Sequence, residues 1–324
     1  MIMKTETTFA GLSLRNPIIA ASSSRTNSAK SNLALDQAGV GAIVLKSLFE
    51  ENILQQSEAM SQNAYGEGAD YLQGYLRSHE LSEYLNLIKE SKSLCSVPII
   101  ASINAVSHGE WEEFAKLIEE AGADALELNV MGVETSTEYV DGEFEQRHIT
   151  IAKSVCEVVK IPVVMKLSGQ VTNPVALSAK LKACGVAAVV MFNRLYQSDI
   201  DVESMEYVPS NIFAQPLDIT TPLRWVAIAS AKVSGIDFAL SGGVKDGDDV
   251  IKSILAGAAA VQVCSAIYKE GNSWIGNALE RLESWQGDHG YGSVSEYCGN
   301  MNFSGSEEQE VLMRSQFLRH LGSM

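Results

Sequence analysis

The stretch AGADALELN, residues 121–129, places a glycine at 122 and an asparagine at 129 around a short, mostly apolar run. The same phrase returns three times, as AGVGAIVLKS (38–47), CGVAAVVMFN (184–193) and AGAAAVQVCS (256–265). Each copy spans seven or eight positions from glycine to closing polar residue: Gly39 to Lys46, Gly122 to Asn129, Gly185 to Asn193 and Gly257 to Ser265. Glycine ends a helix well because it enters the left-handed region without Cβ strain. Runs that are apolar on successive positions fit strands covered on both faces in a parallel sheet.

Four further runs fit between these copies: PIIAAS (17–22), PIIASIN (98–104), PVVMKLS (162–168) and DFALSGG (237–243), making eight candidate strands. Helical patterns separate them, among them 108–122, 173–185 and 246–258. Strand and helix alternating eight times predict an α/β fold, a (β/α)8 TIM barrel with extended loops at its C-terminal rim. An open doubly wound sheet is the alternative; the number of strands and the lack of a GxGxxG motif favour closure. No Pro/Gly-rich linker interrupts the chain, which predicts one domain over 1–324, with 287–324 as a C-terminal extension packing on it. Two stretches are longer than ordinary loops, 48–75 and 194–221, and both leave the rim where barrel enzymes keep their substrate loops.

The 324 residues are 46% hydrophobic and 20% charged, enough for a large core, and the net charge of −16 argues against nucleic acid or an anionic membrane as partner. Five scattered cysteines without CxxC or Cys/His spacing argue against a disulfide framework and a structural zinc, so no metal is expected. The start, MIMKTETTFAGLSLRNP, has no apolar stretch like a signal peptide, and no run reaches the roughly 18 apolar residues of a membrane span. A cytoplasmic protein is expected.

In a barrel the residue that ends each strand faces the mouth. The series is Ser22, Lys46, Asn104, Asn129, Lys166, Asn193, Ser241 and Ser265. It holds no pair of acids, which weakens glycosidase and metal-enolase chemistry. Two lysines and three asparagines form a mouth that receives negative charge, and amides suit planar amide-rich ligands. Gly242 and Gly243 before a helix from Asp246, with Cys264 and Ser265 in the neighbouring turn, offer backbone N–H groups to a phosphate. Cys264 reads as a small buried residue of the last strand rather than a redox group.

At these residues the sequence resembles the dihydroorotate dehydrogenase family, in particular its soluble class, through most of 5–286. The resemblance is carried by NPIIAASSS (16–24), LKS (45–47), ELN (127–129), PVVMKL (162–167), FN (192–193), SGGV (241–244) and VQVCSAIYKEG (261–271). It implies a barrel with non-covalent FMN, a small-molecule substrate and a homodimer. By it, Ser241, Gly242, Gly243, Cys264 and Ser265 would hold the FMN phosphate, and Lys166 would sit by the flavin N1/C2 carbonyl. Ala21, Ser22, Lys46 and Ser47 would line the flavin, while Asn129 and Asn193 would contact flavin or substrate.

The chain departs from the family at two loops. Where the family reads like NLSCPN, with its cysteine taking the C5 proton of dihydroorotate, this chain reads NVMGVET, with Gly132 at the base and Glu134 in place of a pyrimidine-binding asparagine. The loop after the second strand offers only Asn63 as a substrate contact. The candidate replacement bases are Thr135 and Ser136 in the same loop, Glu134 itself, and His148 if the loop folds back, with Ser136 the first choice. The leading expectation is an FMN-dependent dehydrogenase acting on a CH–CH bond, dihydroorotate to orotate in pyrimidine biosynthesis. The alternatives are a flavoprotein paralogue for another cyclic amide or an alkene, and an aldolase forming a Schiff base through Lys166 on a phosphorylated substrate. Without an iron–sulfur cysteine cluster, a small soluble electron acceptor is expected.

Overall fold

A computed structural model describes residues 4–49, 67–104, 110–132, 134–195, 197–210, 213 and 216–304. All eight expected strands form: β3 (Ile18–Ala20), β4 (Ala42–Val44), β6 (Ile99–Asn104), β7 (Ala125–Asn129), β8 (Val163–Ser168), β9 (Ala188–Asn193), β12 (Asp237–Ser241) and β13 (Ala260–Val263). They lie in one parallel sheet, ordered β4-β3-β13-β12-β9-β8-β7-β6, and a β4–β6 pairing closes it. A short strand β5 (Leu48–Phe49) resumes the β4 position beside β6 after residues 45–47. The result is a (β/α)8 barrel.

The repeated glycines explain the entries into the strands. Gly39, Gly122, Gly185 and Gly257 all take positive φ, at 106°, 95°, 99° and 103°. Each turns the chain out of a helix: α1 (Ala29–Ala38), α3 (Glu110–Glu120), α5 (Pro174–Ala183) and α7 (Gly247–Leu255). The starts are capped by side chains, as for α5, where Asn173 accepts from the Ala176 N–H and Pro174 takes the first turn, and for α7, where Asp246 accepts from the Asp249 N–H. The remaining helices are α2 (Glu67–Leu94), α4 (Glu143–Val158), α6 (Thr220–Lys232), α8 (Ser265–Glu270) and α9 (Ser273–His289).

Strand residues divide by parity. Val163, Met165 and Leu167 pack outward against the helices with Leu126, Leu128, Val261 and Val263. Val164 packs inward with Ile19, Val44, Ile100, Ala125, Val190, Ala239 and Ala260. An N-terminal hairpin of β1 (Thr7–Phe9) and β2 (Leu12–Leu14) seals the floor, because Phe9, Ala10 and Leu14 join this inner cluster. Its turn residues Ala10 and Gly11 both have positive φ, the twist a two-residue hairpin favours. With its floor packed, the described barrel opens at the other end.

The long stretches differ from simple loops. Helix α2 begins at Glu67, inside the expected loop 48–75, while residues 50–66 lie outside the described ones. The 194–221 stretch contains a hairpin of β10 (Ser198–Asp201) and β11 (Glu206–Pro209), then a 3-10 turn, Pro216–Ile219. Helix α9 runs on to His289, past the expected start of the extension at 287. Gly299, Met301 and Phe303 then donate backbone N–H groups to Ile254, Leu255 and Ala227. The rest of the extension, 305–324, lies outside the described residues.

Candidate active site

Two joined cavities occupy the mouth. The narrower is lined by Ala21, Ser22, Lys166, Ser241, Gly242, Gly243, Cys264 and Ser265, among others. The wider, about 580 Å³, is lined by Ser22, Lys46, Ser47, Glu127, Asn129, Met131, Lys166, Asn193, Arg194, Phe213 and Tyr268. Ser22, Lys166, Asn193, Arg194, Cys264 and Ser265 line both, so one continuous space runs from the glycine turn to the rim.

The glycines of the narrow lobe have separate reasons to be glycine. Gly242 has φ +103°, and no atom lies within 4 Å of where a Cβ would stand. Gly243, at φ +75°, packs so closely that a Cβ would stand 2.1 Å from the Ile219 nitrogen. The first shapes an open cradle and the second lets two backbones touch. Burial pushes the Cys264 thiol above its ordinary value, which suits an inert side chain better than a thiolate.

Lys166 projects inward from β8, is 6% exposed, and donates from Nζ to Gln262 Oε1 at 2.8 Å. Lys46 stands exposed at the rim, whereas Lys166 is buried. Asn193 Nδ2 donates to Asn129 Oδ1 at 2.7 Å, and the Met131 Sδ lies 3.4 Å from Asn129 Nδ2 and 2.9 Å from Asn193 Nδ2. On the opposite wall hydroxyls run inward: Ser22 Oγ to Ser47 Oγ at 3.1 Å, then Ser47 Oγ to Ser102 Oγ at 2.7 Å. Tyr84 of α2 closes this line by exchanging hydrogen bonds with the Ser102 backbone.

Reading only the strand ends left almost no acid in the mouth, and Glu127 corrects that. It lies two residues before Asn129 on β7, faces inward with it, and is 1% exposed. Gln262 and Ser102 were missed for the same reason. The signal was the period of two along each strand: whatever precedes an inward residue by two also faces inward.

Two substrate-loop residues do not join the cluster. Ser136 lies in an exposed turn where its Oγ accepts from the Glu138 N–H at 3.1 Å, and it lines neither cavity. Glu134 is paired with Arg147 at 2.8 Å. Asn63 lies outside the described residues. A Cβ on Gly132 would meet Arg147 Nη1 at 3.6 Å and Phe144 at 3.8 Å. His148 is instead buried in α4, where its Nδ1 donates to the Phe144 backbone oxygen at 2.8 Å, and burial lowers its pKa. Among the described residues no group of three His, Cys, Asp or Glu is placed to hold a metal, and no helix is long and apolar enough to cross a membrane.

Closed parallel barrel, packed floor and a polar, cation-bearing mouth place the molecule in the class of (β/α)8 barrels with a site at the C-terminal face. Residues 4–285 match the family model described as dihydroorotate dehydrogenase. The chain is 27% identical over 310 residues to the catalytic subunit of dihydroorotate dehydrogenase B (NAD(+)) of Thermoplasma volcanium, covering 90% of this chain and 97% of that protein. The protein of that name from Bacillus pumilus is 28% identical, covering 89% and 94% of the two chains, and that of a Geobacillus species 30%, covering 79% and 82%. The chain belongs to the dihydroorotate dehydrogenase family.

Proposed function

We propose that the chain is an FMN-dependent oxidoreductase of the dihydroorotate dehydrogenase type, acting on the CH–CH bond of dihydroorotate to give orotate in pyrimidine biosynthesis. The observation that carries this reading is the buried Lys166 where an open glycine cradle meets a wider polar cavity. The residues fit FMN. Gly242 offers an unfilled cradle for a phosphate, with Gly243, Cys264, Ser265 and Ser241 around it, and about 580 Å³ lies within the usual range for small-molecule sites, roughly 300–1,000 Å³. Ala21, Ser22, Lys46, Ser47, Asn129, Lys166 and Asn193 line the remainder, where ring and substrate would lie.

When bound, FMN supplies the hydride acceptor. The protein's part is positioning and charge. Lys166 sets a fixed cation where negative charge grows on the ring system. Asn129 and Asn193, locked to each other, present amide edges to a cyclic amide substrate. Lys46 at the rim offers a cation to the substrate carboxylate.

Electron delivery to a partner subunit is supported by the relatives' names, which call them catalytic subunits of NAD(+)-linked enzymes, and replaces the expected small soluble acceptor in this reading. A homodimer is supported by the β10–β11 hairpin, which exposes Ile200, Val202, Met205 and Tyr207. The single domain over 1–324 is supported by the lack of a Pro/Gly-rich linker, and the cytoplasmic assignment by the resemblance to the soluble class.

A second reading keeps FMN and changes the substrate to another cyclic amide or an alkene. Gly132 at the position of the family's base, the Glu134–Arg147 pair and the Met131 thioether against both asparagines favour it. An absorbance spectrum of the purified protein, then anaerobic dihydroorotate, separates the readings. A flavin spectrum bleached by dihydroorotate supports the first; a flavin bleached only by another dihydropyrimidine or reduced amide supports the second. A colourless protein that takes up no FMN refutes both and returns the aldolase, tested by borohydride inactivation with substrate.

A further inference from the structure

Inside the barrel, below the mouth, three side chains from three strands meet. Lys166 Nζ of β8 donates to Gln262 Oε1 of β13 at 2.8 Å, and Gln262 Nε2 donates to Glu127 Oε2 of β7. The ammonium lies 3.8 Å from the other carboxylate oxygen, Glu127 Oε1, which is buried without a hydrogen-bond partner. Exposures are 6% for Lys166, 2% for Gln262 and 1% for Glu127. The Gln262 amide has only one possible orientation here, since only its oxygen accepts from an ammonium and only its NH2 donates to a carboxylate. Burying a charge pair costs more than filling the same space with apolar groups, so the arrangement is not explained by stability.

We propose that Glu127 and Gln262 are positioning residues for Lys166, which together set how strongly its charge favours electrons on the bound flavin. The proposal rests on the flavin reading above. Gln262 holds the ammonium up and apart from Glu127, short of full contact. Glu127 offsets part of the positive charge that reaches the ring. The two therefore act on the lysine in opposite senses, and their removal has opposite signs. Glu127→Gln removes the offsetting charge while leaving an amide oxygen to accept from Gln262, so Lys166 stays in place and its field at the ring grows. Gln262→Leu keeps both charges but lets Lys166 close onto Glu127, which draws the ammonium down and cancels it.

The test is the two-electron reduction potential of FMN bound to the full-length protein, read against redox dyes, together with FMN affinity. Glu127→Gln is expected to shift the equilibrium at least tenfold toward reduced flavin, about +30 mV for a two-electron couple, and Gln262→Leu at least tenfold the other way. Shifts of the same sign, or potentials unchanged with FMN bound, overturn the proposal, since a merely structural role would weaken folding or binding in both variants without opposing potentials. If Glu127→Gln does not fold, Gln262→Leu decides alone, and a potential at or above wild type overturns the proposal. A wild-type protein that binds no FMN overturns the flavin reading itself, which separates the two failures.

Discussion

Alanine at Gly242 and alanine at Gly243 are adjacent substitutions with different expected outcomes. At Gly243 a Cβ would stand 2.1 Å from the Ile219 nitrogen and 2.7 Å from the Asp218 carbonyl carbon, at φ +75°. Left-handed backbone costs about 1–2 kcal/mol for a residue with a Cβ, and forcing apart packed backbone about 1–3 kcal/mol. Together these remove about 2–5 kcal/mol and disturb the turn that starts α6. At Gly242 the φ of +103° carries the backbone cost alone, about 1–2 kcal/mol, because nothing lies within 4 Å of the new methyl. That methyl instead enters the open space of the narrow lobe. If a phosphate sits there, losing one charged hydrogen bond costs about 1.5–3 kcal/mol, or about 10- to 100-fold in FMN affinity. Thermal melts of the apoprotein and fluorescence titration with FMN separate the two effects. Gly242→Ala is expected to keep most of the stability and lose affinity, whereas Gly243→Ala loses stability first. FMN binding to Gly242→Ala within twofold of wild type would refute the cradle, and equal melting of the two variants would refute the packing argument.

Gly132→Cys places a thiol at the position of the family's base, where a Cβ meets Arg147 Nη1 at 3.6 Å and Phe144 at 3.8 Å, ordinary contact distances. If the substrate is dihydroorotate, its oxidation followed by flavin bleaching is expected to accelerate by about 10²- to 10⁴-fold; no gain favours the second substrate reading. Phe9→Ala empties the barrel floor and is expected to cost about 3–5 kcal/mol, read as a lower melting temperature; a change under 1 kcal/mol would mean the hairpin does not plug the barrel. Burial raises the pKa of Asp237, which accepts from the Ala10 N–H at 2.8 Å. The native state therefore holds that proton more tightly than the unfolded chain, and the contribution is present at low pH and lost as pH rises through the raised pKa. Asp237→Asn keeps an acceptor for Ala10, so its melting temperature relative to wild type is expected to climb as pH rises above the ordinary carboxylate range and to level off once pH has passed the raised pKa; a pH-independent difference would remove the linkage.

The barrel was legible because its punctuation is chemical. Four glycines that must turn left-handed recur at fixed distances from the polar residues that close the strands, and each takes the φ that the pattern required. Lys166 and the two asparagines stood out because they end apolar runs. Glu127 and Gln262 did not, since a polar residue one step inside a strand resembles ordinary alternation until the inward face is known. The β10–β11 hairpin was hidden by its composition: acids alternating with Ile200, Val202 and Tyr207 look like loop, and its pairing depends on partners across a turn. Ser136 stands outside both cavities because sequence distance from Gly132 says nothing about where a turn carries a hydroxyl.

The plug at the barrel floor also sets a timetable for synthesis. Ala10 bonds to Asp237 and Thr7 to the Ala259 carbonyl, separations of 227 and 252 residues along the chain. At about 5–20 residues per second, a ribosome needs about 10–50 seconds between making the first partner and making the last. During that interval Phe9 and Leu14 have no barrel to enter, so the nascent N-terminus must be sheltered or tolerated as exposed apolar chain. Slow-translating conditions should therefore lengthen the time in which this protein is captured by chaperones.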